Sequence, residues 1–165
     1  MNHKNTDEKV PTDIRRACLL VSSIENSLKI YHEILGLKFW LDEEMNVSGE
    51  GLPAGEPNSW IRLVILQAND PLIGNLALLE YLDPPLPPRD ADYPKKLGIG
   101  GVVFVLNHKD VQSVYDQIRL VDGVHIQSAP HDVEFPAPNN GVFKRRLMSF
   151  FDPDGYFFEV AQLLN

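Results

Sequence analysis

Twice along the 165 residues, a short apolar run gives way to helical periodicity and then to three further apolar runs. In the first half Ile14 to Val21 reads as a strand. Ile24, Leu28, Tyr31 and Leu35 follow at helical spacing, with Ser22 or Ser23 as N-cap and Gly36 as the stop. Leu37 to Leu41, Trp60 to Gln67 and Asn75 to Leu82 supply three more strands. In the second half Gly98 to Leu106 is a strand, and Asn107 can cap a helix carrying Val111, Val114, Tyr115 and Ile118. Val124 to Ser128, Phe143 to Phe151 and Tyr156 to Leu163 complete it. A β-α-β-β-β order repeated in this way predicts one amphipathic helix covering one face of each sheet.

Between the halves lies Asp83-Pro84-Pro85-Leu86-Pro87-Pro88, which can neither continue a central strand nor enter a helix. The expected organisation is therefore a flexible arm over residues 1–13, a first module over 14–82 and a linker over 83–97. A second module over 98–163 forms one domain with the first. The proline run reads as a semi-rigid connection or as a wall over a site.

The last two runs meet at Asp152-Pro153-Asp154-Gly155, whose residues fix φ, bond their own backbone and accept positive φ. Behind this turn Glu159 stands alone among Tyr156, Phe157, Phe158, Val160 and Ala161. Glu80 stands alone in Asn75 to Leu82. A carboxylate in such surroundings needs a partner or access to water. It is either a charge on a wet strand face or part of a site.

A formal charge of −8 and the absence of a clustered basic face exclude a nucleic-acid footprint. No apolar stretch reads as a signal peptide or membrane span, and the single Cys18 forms no internal disulfide. Both suit a cytoplasmic setting. Of the five histidines, His131 is the one candidate for an acid or base reaching a pocket.

The run Leu19-Leu20-Val21-Ser22-Ser23-Ile24-Glu25-Asn26-Ser27-Leu28-Lys29-Ile30-Tyr31, with Leu35-Gly36-Leu37 and the terminal turn followed by Glu159, resembles the vicinal oxygen chelate superfamily. That superfamily includes glyoxalase I, extradiol dioxygenases, methylmalonyl-CoA epimerase, fosfomycin-resistance proteins and bleomycin-binding proteins. The resemblance spans about residues 14–163. It implies an α/β (α+β) fold of paired βαβββ modules with curved mixed sheets enclosing a cavity, and a homodimer.

In metal-using members two His (or Gln) and two Glu hold a divalent ion. The matched positions in this sequence are Arg16, Glu80, Gly101 and Glu159, so both ligand histidines are missing. Arg does not give up its proton to a metal, and Gly has no side chain to offer. The resemblance therefore implies an atypical member with no metal. Weakly bound Mg²⁺ or Mn²⁺ on Glu80 and Glu159 is the alternative. Arg16 is expected to take the cation's place by pairing with one or both carboxylates.

Strand parity extends the site. With Arg16 inward, Cys18 and Leu20 share its face. Leu76, Leu78 and Leu82 go with Glu80, Phe157 and Ala161 with Glu159, and Val103 and Val105 with Gly101. The implied function is metal-free binding of a small, partly apolar molecule. One alternative is a lyase, isomerase or dioxygenase-like enzyme using Glu80 or Glu159 as base, with Arg16 stabilising an enolate. Another is a structural or regulatory interaction protein.

Overall fold

The computed structural model describes residues 12–88, 96–136, 138 and 141–164. Most of the expected arm, and the centre of the linker, fall outside the described residues. Two four-stranded sheets follow the duplicated order. In the first, β1 (Arg16–Leu20), β4 (Asn75–Asp83), β3 (Ser59–Gln67) and β2 (Lys38–Val47) lie side by side in that sequence. The second repeats this as β5 (Val103–Asn107), β8 (Phe157–Leu163), β7 (Val142–Phe151) and β6 (His125–Pro136). In each, the first strand pairs parallel with the last and the other pairs are antiparallel.

The expected enclosure does not occur. Neither sheet is closed or strongly curled, and each ends in two edge strands, so no cavity lies within their curvature. Closing a sheet requires the first and last strands to pair. Here β1 and β2, or β5 and β6, lie at opposite edges with two strands between them.

Helix α1 (Ile24–Leu28) continues as a π-helical segment, Lys29–Ile34. The Ser23 side chain accepts from Asn26 N–H at its start, and Gly36 turns the chain at φ 76° just beyond its end. Helix α2 (Val111–Ile118) is capped by Asp110, which accepts from Ser113 N–H. Asn107, the expected cap, is instead the last residue of β5. Strands β2 and β6 also run further than their apolar residues suggested, through Asp42–Val47 and Ala129–Pro136.

The helices and the sheet faces they cover contribute to one core shared by both modules. Leu19, Val64 and Leu78 of the first sheet join Val111, Val114, Ile118, Met148, Phe150 and Val160 of the second module in one buried cluster. Phe158 sits at its centre. Its ring centroid lies 4.9 Å from Phe104, 5.3 Å from Tyr31 and 5.4 Å from Phe150.

Candidate functional site

Backbone bonds define corresponding positions in the two modules. Val21 N–H donates to Leu79 O, and His108 N–H to Ala161 O. Likewise Ile24 N–H donates to Glu80 Oε2 at 2.8 Å and Val111 N–H to Gln162 Oε1 at 3.1 Å. Glu80 thus has Gln162 as its counterpart, and each side chain satisfies an amide at the start of a helix. The residue corresponding to Glu159 is Ala77, and the one corresponding to Arg16 is Val103.

This register separates the residues expected to meet. Glu80, Leu76 and Leu78 face the helices, with Leu78 fully buried. Arg16, Cys18 and Leu20 pair with Asn75, Ala77 and Leu79 and face the other way. Arg16 is exposed and forms no ion pair with Glu80 or Glu159. Leu82 is exposed near the end of β4. Gly101 lies ahead of β5 in a turn where its N–H donates to Gly98 O at 2.9 Å. Partial burial raises the Cys18 thiol pKa, opposed by the positive charge of Arg16.

On the far face of the second sheet, turned from the helices, Val105, Glu159, Ser149 and Ser128 form one row across four strands. The Ser128 and Ser149 hydroxyls lie 3.0 Å apart, Ser149 is buried, and Glu159 is half-buried. Val103, Phe157, Phe151 and His125 make the row on one side, and Asn107, Ala161, Leu147 and His131 the row on the other. Glu159 therefore stands as one acid beside two hydroxyls on a mainly apolar surface. It has no hydrogen-bond or ion-pair partner among the described residues.

On the far face of the first sheet Ile61, Leu79 and Tyr81 form a second, smaller buried cluster with Leu20, Met45, Val47, Ala54, Leu63 and Leu86. The loop after β2 folds over it. The Tyr81 hydroxyl donates to Ala54 O at 2.5 Å, and Gly55 passes so close that a Cβ there would collide with the tyrosine ring. An open groove of about 290 Å³ remains between Val47, Leu52, Ile61, Leu79 and Tyr81, with Gly49 and Gly51 along its rim. A second groove of about 340 Å³ lies on the other side of Tyr81, walled by Pro85, Leu86, Pro87 and Pro88 and ending at Asp154 and Tyr156.

On β4, Tyr81 and Leu79 have the strand parity opposite to that expected of the pocket, and Ile61 pairs with Tyr81, while the expected Leu20 does pack against them. The sequence signal that points to them is the pairing of a glycine-rich loop with an aromatic residue that needs a hydroxyl partner.

The donor set does not fit a divalent ion. Of Arg16, Ala77, Val103 and Glu159, which stand at corresponding places in the two modules, only Glu159 has an oxygen to give. Among the described residues no group of three or more His, Cys, Asp or Glu side chains is placed to hold a metal. No described helix is long and apolar enough to cross a membrane.

Two helix-covered sheets in βαβββ order are the fold that this chain shares with solved glyoxalase structures. A glyoxalase family protein from Bacillus cereus superposes with a TM-score of 0.72 at 15% identity, covering 97% of this chain and 99% of that one. The trypanothione-dependent glyoxalase I of Leishmania major gives 0.54 at 19% identity, covering 92% and 87%. A glyoxalase I mutant from Zea mays gives 0.53 at 20% identity, covering 89% of this chain and 45% of that one. No protein-family model and no curated protein sequence matches the chain.

Proposed function

We propose that the protein binds a small, partly apolar molecule without a metal, in the groove beside Tyr81 on the far face of the first sheet. The carrying observation is that apolar recess, roofed by a glycine-bearing loop that the Tyr81 hydroxyl ties down. Its size, with the adjoining proline-walled groove, suits a compact ligand. Burying apolar ligand surface against Leu52, Ile61 and Leu79 would supply about 25 cal/mol per Å² before the costs of association. A homodimer belongs to the same reading, supported by the exposed Val102, Val103 and Val105 along the free edge of β5.

Methyl NMR during titration with small aromatic fragments tests the site. The resonances of Leu52, Ile61 and Leu79 should move saturably, and Tyr81→Ala should weaken binding about tenfold or more. Fragments that leave those methyls unmoved would sink the proposal. Stoichiometric uptake of Mg²⁺, Mn²⁺ or Zn²⁺ that Glu159→Gln abolishes would overturn its metal-free part.

The second reading is enzymatic, favoured by Glu159 beside the paired Ser128 and Ser149 hydroxyls. A half-buried carboxylate without a partner can take a proton from a carbon acid bound against Val103, Val105 and Phe157. Neighbouring hydroxyls would then hydrogen-bond to the developing oxyanion.

A further inference from the structure

The duplication creates two equivalent joints where the turn between the last two strands of one module meets the first strand of the other. One is sealed. Asp152 follows β7, and its Oδ2 accepts from the Tyr31 hydroxyl of the first module at 2.6 Å. The Tyr156 hydroxyl accepts from Leu20 N–H at 2.9 Å and donates to Leu20 O at 3.0 Å, while Asp154 Oδ1 accepts from Ser22 N–H.

Among the described residues the other joint has no such bridge. Ile118 stands seven residues after Val111, as Tyr31 stands seven after Ile24, and Ala68 follows β3 as Asp152 follows β7. Neither Ile118 nor Ala68 can reproduce the hydroxyl–carboxylate bond. The Asp70 carboxylate instead accepts from Leu72 and Ile73 N–H within its own turn. A groove of about 310 Å³ is left between the modules.

The lining sets the polar side chains of Lys38, Gln67, Asn69, Asn107 and His108 among apolar residues and contains no acidic residue, in a chain with 23 Asp and Glu against 15 Lys and Arg. Lys38, Gln67 and Asn69 come from the first module, and Asn107 and His108 from the second. Lys38 pairs with no carboxylate among the described residues. The His108 ring is fixed through Nδ1 against the Asp110 backbone, and Nε2 has no hydrogen-bond partner among the described residues.

We infer that this groove is a binding site for a small organic carboxylate, which bridges the modules as the Asp152 side chain does at the sealed joint. The Lys38 ammonium and the side-chain amides of Asn69 and Asn107, drawn from both modules, supply the donors that a carboxylate accepts, while Gln67 Nε2 already donates to Pro71 O at 3.2 Å. A ligand held by both modules would also stabilise the native arrangement.

The full-length ¹⁵N-labelled protein titrated with sodium succinate, against sodium chloride at matched ionic strength, tests this. Succinate should shift the amide resonances of Gly36, Gly74 and Asn107 saturably, leave those of Asp154 and Tyr156 in place, and raise the melting temperature. Lys38→Gln should weaken binding about tenfold and Asn107→Ala about threefold, while Lys38→Arg should retain it. Both positions are exposed, and the unliganded melting temperature of each variant reports that it folds. No saturable shift, or undiminished binding by Lys38→Gln, would overturn the proposal. Sulfate moving the same resonances as strongly as succinate would reduce the site to an adventitious ion only and overturn the carboxylate assignment.

Discussion

The two joints between the modules share a backbone plan and differ in chemistry. At one, a buried Asp152 gathers the Tyr31 hydroxyl and the N–H groups of Asp154 and Tyr156. At the other, Ile118 and Ala68 form no such bond, and a groove of mixed polar and apolar lining is left. A duplicated fold needs its halves fastened, but both ends need not be fastened alike. The shared core around Phe158 holds the modules face to face. Hydrogen bonding at one end then fixes their alignment and frees the other end for side chains that serve a ligand.

The largest expected break in this comparison is at Asp152. Asp152→Ala strands three donors, the Tyr31 hydroxyl among them, in a site where the carboxylate is only 1% exposed. Unfolding by urea should show a loss of about 3–5 kcal/mol. A loss under about 1 kcal/mol would mean that the joint relaxes or takes in water, and that the sealed end carries little.

Next in size is the pH dependence of the same carboxyl. Burial raises the Asp152 pKa to about 6, against the lowering effect of its bonds from Tyr31 and Tyr156 and with a smaller upward push from Asp154. The unfolded chain ionises first, near pH 4, so between there and pH 6 it holds fewer protons than the native state. The contribution from Asp152 is thus fully present below pH 4 and is lost as pH rises through about 6. The shift corresponds to about 3 kcal/mol at most. Urea midpoints from pH 4 to 7 should fall in the wild type relative to Asp152→Asn. Parallel profiles would show that the carboxyl titrates as an ordinary exposed acid.

The DPDG turn was legible because its signals are local, and Gly155 does take positive φ, at 93°. The partner of Asp152 was not legible, since Tyr31 lies 121 positions away. The same limit governed Glu80. In the run NLALLEYL both strand faces are apolar and both are buried, so alternation cannot tell the helix side from the far side. Only Ile24 N–H, donated to Glu80 and matched by Val111 N–H to Gln162, assigns the faces. Asp42, Glu43 and Glu44 carry the signature of a loop, yet β2 runs through them, because an edge strand tolerates charge. The β-α-β-β-β order survived these errors because it rests on whole elements.

A smaller effect is expected from Tyr31→Phe, which removes one donor while Asp152 keeps two backbone bonds. The loss should be about 1–2 kcal/mol. With a bond that favours the ionised carboxyl gone, the midpoint of the Asp152 titration should move upward. A ¹³C carboxyl titration checks the direction, and a downward move would assign the shift to something other than the Tyr31 bond.

The smallest effect belongs to the open joint, and it separates a ligand site from a structural one. Lys38 and Asn107 are exposed, and no hydrogen bond among the described residues fastens either side chain to the opposite module. Lys38→Gln and Asn107→Ala should therefore change unliganded stability by no more than about 0.5 kcal/mol in urea. In saturating succinate the gap between wild type and Lys38→Gln should widen, because mass action stabilises only the form that binds. A large loss without ligand would instead make Lys38 a fastening of the fold. The two joints would then be alike in purpose, and the asymmetry between them would lie in the choice of residues alone.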